Sequence, residues 1–299
     1  MQRKDRIDVF GAVSLVMFSA LLGFNQVVIK VVNDGLQPVF FAGLRSLGAV
    51  ICILLWLRVR GGRLDFAAGT IWAGVLIGFV FSVEFIGLFM ALDLTTVTRS
   101  SIIFYSMPVW LTLAGHFLLP GERITRQKSL GLVLAFGGVA WAISDRSAGG
   151  GQASLAGDLF ALLAALGWAG IALCARATPL IRVPPETQLF WQVAVVSAPI
   201  LLALAPLFGP LVRDLQPVHL WGLAFQTVVI VTAAFIFWLW LLTVYPAGGV
   251  ASFSFLSPIF GVGFGWLVLG EPIGPAILGP LALVATGIVL INRRPRLPG

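Results

Sequence analysis

Two ionisable side chains stand inside long apolar stretches of this sequence, where a charge needs a partner or water. Arg45 follows Phe41-Ala42-Gly43-Leu44, and Glu84 lies in the apolar stretch that begins near residue 66. A charged group in hydrocarbon costs several kcal/mol unless it is paired or hydrated, so each one marks a candidate functional position. The two side chains could form an ion pair that holds two helices together, or they could form the polar wall of a cavity.

Uncharged polar side chains in other apolar stretches could orient the amino or carboxylate group of a small ligand. The candidates are Asn25, Gln26, Ser101 and Ser254. Serine also allows helices to approach closely and to form hydrogen bonds between them. Helix packing is therefore the alternative interpretation, and for any single serine it is the favoured one.

The sequence has no grouping of residues that is typical of catalysis or of metal binding. Its two cysteines, Cys52 and Cys174, lie in separate apolar runs, and His116 and His219 stand alone. An intramembrane enzyme would need clustered His, Asp or Ser side chains at membrane depth. We therefore expect no enzymatic activity, no cofactor and no metal site.

The composition excludes a water-soluble globular protein. Of the 299 residues, 59% are hydrophobic and only 10% are charged, whereas soluble domains carry about 25% charged residues. The formal net charge of +7 comes from residues spread along the chain rather than from one basic stripe, so no nucleic acid is expected as a partner. The expected partners are the lipid bilayer and a small-molecule substrate.

Apolar runs long enough to cross a bilayer make up most of the chain. A transmembrane helix needs about 20 such residues, and ten runs qualify. The predicted spans are 9–32, 38–58, 66–91, 95–118, 127–144, 154–176, 187–207, 216–242, 246–269 and 275–292. The predicted fold is therefore an all-α polytopic membrane protein with ten transmembrane helices.

The Lys and Arg residues of the short loops predict the orientation, because cytoplasmic loops hold an excess of them. With both termini in the cytoplasm, most of the 19 Lys and Arg residues fall on the inner side. The outer side then holds Lys30, Arg99, Arg146 and Arg213. An even number of spans agrees with two cytoplasmic termini.

The two halves of the chain resemble each other at a spacing of 150 residues. Asp8-Val9-Phe10 matches Asp158-Leu159-Phe160, and Tyr105-Ser106-Met107-Pro108 matches Phe255-Leu256-Ser257-Pro258. Gly121-Glu122 matches Gly270-Glu271 at a spacing of 149. Five spans per repeat is an odd number, so the second repeat must be inverted in the membrane. We assign residues 1–147 and 148–299 to the two repeats, an arrangement typical of secondary transporters that bind substrate near the midplane between the repeats.

The repeat also singles out three aromatic residues and two prolines. It places Phe18 and Trp168 at equivalent depth, with Tyr105 on span four, where they could stack against a flat substrate. Pro108 and Pro258 each remove a backbone hydrogen bond and are expected to kink their helices. These kinks could act as hinges that gate the two sides in turn, or they could be static.

With these features the sequence resembles the drug/metabolite transporter superfamily, EamA type. The resemblance rests on the arrangement of five plus five spans, on Phe41-Ala42-Gly43-Leu44-Arg45 in span two, and on two prolines that each precede a Gly-Glu pair. It covers essentially the whole chain. It implies a carrier in the bacterial inner membrane with a central cavity. Within the family, Glu84, Tyr105 and Trp168 look similar to positions in bacterial aromatic amino-acid exporters.

The favoured function is export of small metabolites, aromatic or neutral amino acids above all, by alternating access through a cavity between the repeats. The carrier is expected to act as a monomer. The alternative is a nucleotide-sugar carrier, or another metabolite or drug carrier of the same fold. A phosphorylated cargo would require several Lys or Arg side chains in the cavity, and only Arg45 is available. A channel would need rings of polar residues along a continuous path, which the spans do not offer.

Overall fold

Apart from an isolated bridge between Leu36 and Val212, every regular element in the described residues is a helix. The computed structural model describes residues 7–61, 64, 66, 68–119, 122–145, 147, 153–245, 250 and 253–292. Gly121, which the sequence repeat pairs with Gly270, lies outside these residues. The same holds for the basic residues at both ends of the chain.

The first half of the chain forms six α-helices. They are α1 (Val9–Gly35), α2 (Pro38–Arg60), α3 (Ile71–Leu94), α4 (Val97–Phe104), α5 (Met107–Leu118) and α6 (Arg126–Ser144). Local signals set several ends. The Gln37 side chain accepts a hydrogen bond from the Phe40 amide where α2 begins, and Gly61 ends α2 with φ = 66°, a left-handed conformation that favours glycine. Thr96 and Thr125 cap α4 and α6 in the same way as Gln37.

The second half contains shorter segments, because two of its predicted spans include π-helical turns. Its α-helices are α7 (Leu155–Ala177), α8 (Pro185–Phe190), α9 (Ala198–Leu204), α10 (Pro217–Phe225), α11 (Phe235–Val244), α12 (Leu256–Leu269) and α13 (Pro275–Asn292). A π-helix at Trp191–Ser197 joins α8 to α9, and another at Gln226–Ala234 joins α10 to α11. Sequence analysis did not predict these π-helices.

Eight helical segments of the described residues are long and apolar enough to cross a membrane. They are Val9–Gly35, Pro38–Arg60, Ile71–Leu94, Val97–Leu118, Leu155–Ala177, Glu186–Phe208, Pro217–Ala234 and Pro275–Asn292. The other two predicted spans correspond to α6 and to the shorter apolar α12, which lie outside this set. The polytopic helical class is therefore confirmed, while the count of ten spans and the inverted orientation stay predictions.

Helix breaks occur next to both prolines that the repeat singled out. The span from Val97 to Leu118 is interrupted at Tyr105 and Ser106. Pro108 has no N–H to donate to the carbonyl of Phe104, the last residue of α4, so the α-helical bonding pattern cannot continue there. An equivalent turn precedes α12, in which Pro258 lies in the first turn.

The chain divides into two compact units, and each combines segments from both sequence repeats. Unit 1 comprises Met1–Val27, Thr95–Asp158 and Ile236–Gly299, and unit 2 comprises Val28–Leu94 and Leu159–Phe235. In unit 1, Leu15 packs with Leu241 and Tyr245 in a buried apolar cluster. In unit 2, the rings of Phe41 and Phe89 pack edge to face with centroids 5.0 Å apart.

Glycine allows close approach between helices inside each unit. In unit 1, α6 packs against α13 through Gly138, where an added Cβ would lie 2.9 Å from the carbonyl oxygen of Pro280. In unit 2, an added Cβ at Gly167 of α7 would lie 2.9 Å from the Cα of Glu84 in α3. Small residues at such positions let membrane helices gain van der Waals contact.

Candidate functional site

Unit 1 contains a buried ion pair that sequence analysis missed. Arg99, in α4, donates from Nη2 to Asp158 Oδ2 at 2.6 Å and from Nε to Asp158 Oδ1 at 3.1 Å. Its other hydrogen bonds go to the carbonyl oxygens of Asp145, at 2.8 Å, and of Ala142. Both side chains of the ion pair are fully buried. This guanidinium is well satisfied by the protein itself, which indicates a structural role.

The second Gly-Glu pair also has a structural function in unit 1. The carboxylate of Glu271 accepts hydrogen bonds from the backbone amides of Val97, at 2.6 Å, and Thr98, at 2.7 Å. These amides form the first turn of α4, where backbone N–H groups lack partners within the helix and a negative charge is favourable. Glu271 therefore anchors the start of α4 to the chain segment that precedes α13.

Three of the predicted binding residues meet in unit 1. Ser101 Oγ donates to Gln26 Oε1 at 3.0 Å, and the Tyr105 hydroxyl donates to the Leu22 carbonyl oxygen at 2.8 Å. All three side chains are buried, as is Asn25 in the same turn of α1. They form a polar patch where α1 passes α4. The geometry also agrees with the alternative interpretation, in which serine allows close helix packing, because an added Cβ at Gly261 would contact Ser101.

The other predicted residues of unit 1 have different contacts in the structure. The ring of Phe18 stacks on Trp238 with centroids 4.8 Å apart. Ser254 Oγ accepts a hydrogen bond from the Asn292 side chain at 3.2 Å. Pro108 and Pro258 stand beside the helix breaks described above.

Unit 2 holds both of the ionisable residues that sequence analysis singled out, but they do not form a direct ion pair. Arg45 Nη1 donates to Gln226 Oε1 at 3.1 Å, and neither a hydrogen bond nor a salt bridge joins Arg45 to Glu84. The centre of the Arg45 guanidinium lies 4.1 Å from the centroid of the Phe85 ring. The sequence offered two interpretations, an ion pair that holds two helices together and the polar wall of a cavity. The structure does not contain a direct Arg45–Glu84 ion pair.

Gln226 is a neighbour of Arg45 that sequence analysis overlooked. It is fully buried and begins the second π-helix. The sequence did contain a signal for this residue, because Gln226 is a polar side chain inside an apolar run. Trp168 also lies in unit 2, half-buried on α7, immediately after Gly167, the residue that packs on Glu84.

Two charged groups outside the spans have shifted pKa values. Hydrogen bonds with Asp93 raise the pKa of Arg213, whose Nη1 lies 2.6 Å from Asp93 Oδ1. Hydrogen bonds from the side chain and the amide of Ser147 lower the pKa of Asp145, a partly exposed residue just after α6. No group of three or more His, Cys, Asp or Glu side chains suited to a metal ion occurs among the described residues.

The fold and the buried polar residues define a polytopic helical membrane protein with polar groups inside its spans. A family model described as the EamA-like transporter family matches this chain twice, at residues 9–144 and 155–293. The chain belongs to this family and is a transporter, with a small-molecule substrate and a place in the lipid bilayer. The double match agrees with the internal repeat read from the sequence, while the boundaries 1–147 and 148–299 stay a prediction.

Individual relatives match over nearly their whole length. The chain is 23% identical over 278 residues to the Bacillus subtilis protein named uncharacterized transporter YoaV, covering 92% of this chain and 94% of that one. It is 25% identical over 299 residues to an Escherichia coli protein named probable amino-acid metabolite efflux pump, covering 97% and 95%. A solved crystal structure matches with a TM-score of 0.65 and 18% identity, covering 95% of this chain and 98% of that chain, which shows the fold.

Proposed function

We propose that the protein exports small metabolites, above all aromatic or neutral amino acids, across the bacterial inner membrane. The observation that supports this most directly is its full-length similarity to the Escherichia coli protein whose name describes amino-acid metabolite efflux. The carrier acts as a monomer with both termini in the cytoplasm. Its cargo-binding residues are Phe18, Asn25, Gln26, Arg45, Glu84, Ser101, Tyr105, Trp168 and Ser254.

The helix breaks support transport by alternating access. Secondary transporters use interrupted helices near their substrate sites, and one group of helices moves against another around the cargo. The breaks beside Pro108 and Pro258 occur at matching positions of the two sequence repeats. We infer that these prolines act as hinges for the two sides of the membrane.

The buried charges favour a neutral or zwitterionic cargo over a phosphorylated one. Binding a phosphate group usually requires several cationic or N–H donors. Among the described residues, Arg45 and Arg99 are the only buried Lys or Arg side chains. Arg99 is held by Asp158 and two carbonyl groups, and the partly buried Lys30 donates to the carbonyl oxygen of Leu92 at 3.0 Å. Arg45 is therefore the buried cation available to an anionic group of the cargo.

Transport can be tested with the purified protein in liposomes. We expect accumulation of phenylalanine or threonine above that of empty vesicles, and no accumulation of a sugar phosphate. The measurement should be made with and without a proton gradient, which distinguishes coupled export from facilitated diffusion. Flux of the sugar phosphate alone would favour the alternative carrier class, and no flux of any of these compounds would contradict the proposal.

The stacking role of Trp168 has its own test. Trp168→Ala should reduce phenylalanine flux more than threonine flux, because only phenylalanine offers a ring for stacking. Trp221→Ala is the matched control, since Trp221 is exposed on α10 and should affect neither. Full phenylalanine flux in Trp168→Ala would contradict the stacking proposal.

Orientation is tested separately in intact cells. Both native cysteines, Cys52 and Cys174, are replaced by serine, and a single cysteine is then introduced at either terminus. Membrane-impermeant thiol reagents should label neither terminus from outside. Labelling of one terminus only would exclude an even number of spans.

A further inference from the structure

We propose that Arg45 binds a carboxylate group of the cargo, and that the cargo of this carrier is therefore a carboxylate-bearing molecule. The inference rests on the proposed transport function and specifies the chemical class of what is transported. It is carried by the state of the Arg45 guanidinium in unit 2 and by the polar atoms on the helices packed against it.

The two buried arginines of this protein differ in how they are satisfied. Arg99 forms four hydrogen bonds, two of them to a carboxylate. Arg45 is 3% exposed, yet only one of its five N–H donors has a protein acceptor among the described residues, the amide oxygen of Gln226. Its Nε atom is buried without any partner. A buried cation with free donors is costly for the folded protein, so its persistence points to a ligand.

The immediate surroundings leave those donors available. The guanidinium carbon of Arg45 lies 4.1 Å from the centroid of Phe85 and 5.4 Å from that of Phe89. Contact with aromatic rings stabilises the cation without using any N–H group. Glu84 accepts no hydrogen bond from Arg45. The planar fork of the guanidinium therefore remains able to bind a carboxylate, the group that it matches in geometry.

The π-helices supply a second, independent observation. α2 packs against both π-helices, at Trp191–Ser197 and at Gln226–Ala234. π-helical turns occur mostly as single deformations and are frequent at functional sites. Two hydroxyl groups in these elements, Ser46 Oγ on α2 and Ser197 Oγ in the first π-helix, are fully buried and lack hydrogen-bond partners. Unit 2 thus has several unpaired polar atoms on packed helices in addition to Arg45 Nε.

The test compares pairs of compounds that differ only at the carboxylate. In proteoliposomes, the flux of phenylalanine is compared with that of phenethylamine, and the flux of threonine with that of threoninamide. The wild-type protein should prefer the carboxylate member of at least one pair by about tenfold or more, since hydrogen bonds to charged groups are the strong ones. Arg45→Gln should lose this preference. Arg60→Gln, which changes an exposed arginine on the same helix that contacts Trp56, should retain it.

A second variant guards against misfolding of Arg45→Gln. Gln226→Glu preserves side-chain size and places a protein carboxylate at the position that now accepts from Arg45 at 3.1 Å. This carboxylate should compete with that of the cargo, so Gln226→Glu should also lose the preference while eluting as a folded species in size-exclusion chromatography. Loss in both variants supports the proposal.

The outcomes separate this inference from the transport function. Equal flux of both members of each pair in the wild type, or an unchanged preference in folded Gln226→Glu, would overturn the carboxylate assignment and leave the transport function standing. An absence of flux for every compound in the wild type would overturn both.

Discussion

Loss of the Asp158 carboxylate should strongly destabilise unit 1. In Asp158→Asn, the Arg99 guanidinium stays buried but loses its counter-ion. The amide oxygen of the new asparagine can replace only one of the two carboxylate acceptors, which now lie at 2.6 and 3.1 Å from Arg99 nitrogen atoms. Breaking one partner of a buried ion pair costs about 3–5 kcal/mol, because an uncompensated charge remains. The one charged hydrogen bond that is lost outright contributes about 1.5–3 kcal/mol of this cost.

The assay is equilibrium unfolding in mixed detergent micelles, followed by tryptophan fluorescence. We expect the free energy of unfolding of Asp158→Asn to be lower than that of the wild type by about 3–5 kcal/mol. Asp214→Asn is the control: Asp214 is exposed and accepts a hydrogen bond from Gln216, and surface changes of this kind usually stay within about 0.5 kcal/mol.

A double variant distinguishes the effect of an uncompensated buried charge from the effect of lost side-chain packing. Arg99→Met combined with Asp158→Leu removes both charges, and apolar replacement of a whole buried ion pair is often nearly neutral. The double variant should therefore be more stable than Asp158→Asn alone. The interpretation of this ion pair is wrong if the free energy of unfolding of Asp158→Asn lies within about 1 kcal/mol of the wild-type value. It is also wrong if the double variant is less stable than Asp158→Asn.

Three further changes test other contacts. Glu271→Ala leaves two amides of α4 without their acceptor and should lower unfolding stability by about 1–3 kcal/mol, and equal stability would contradict the capping role. Gly138→Ala, which adds a Cβ 2.9 Å from a carbonyl oxygen of α13, should lower the melting temperature, whereas Gly137→Ala in the same helix meets no atom within 4 Å and should be neutral or stabilising. Because the pKa of Asp145 is lowered in the folded state, its charged hydrogen bonds contribute stability at neutral pH that is lost as the pH falls through that lowered value. The stability difference between wild type and Asp145→Asn should accordingly vanish in acid, and a difference that is independent of pH would refute it.

The class of protein could be predicted from the sequence because the relevant signals are local. Run length and apolar content set where a helix can cross a bilayer, and most predicted spans agree with observed helices to within a few residues. Pro108 and Pro258 predicted the helix breaks for the same reason, because a missing backbone N–H disrupts helical hydrogen bonding within one turn of the proline. The family resemblance rested on the number and order of the spans and on short motifs, each of which is read from a few neighbouring residues.

The partners of buried charges were decided by tertiary structure alone. Arg99 binds Asp158, which is 59 residues away, and Arg45 binds Gln226, which is 181 residues away. Adjacent spans suggested Glu84 as the partner of Arg45, but the rotation of each helix about its axis selects the contact. That rotation depends on side-chain packing along the whole helix, including glycine contacts and π-helical turns, which no single stretch of sequence encodes. The same packing assembles each compact unit from segments of both repeats.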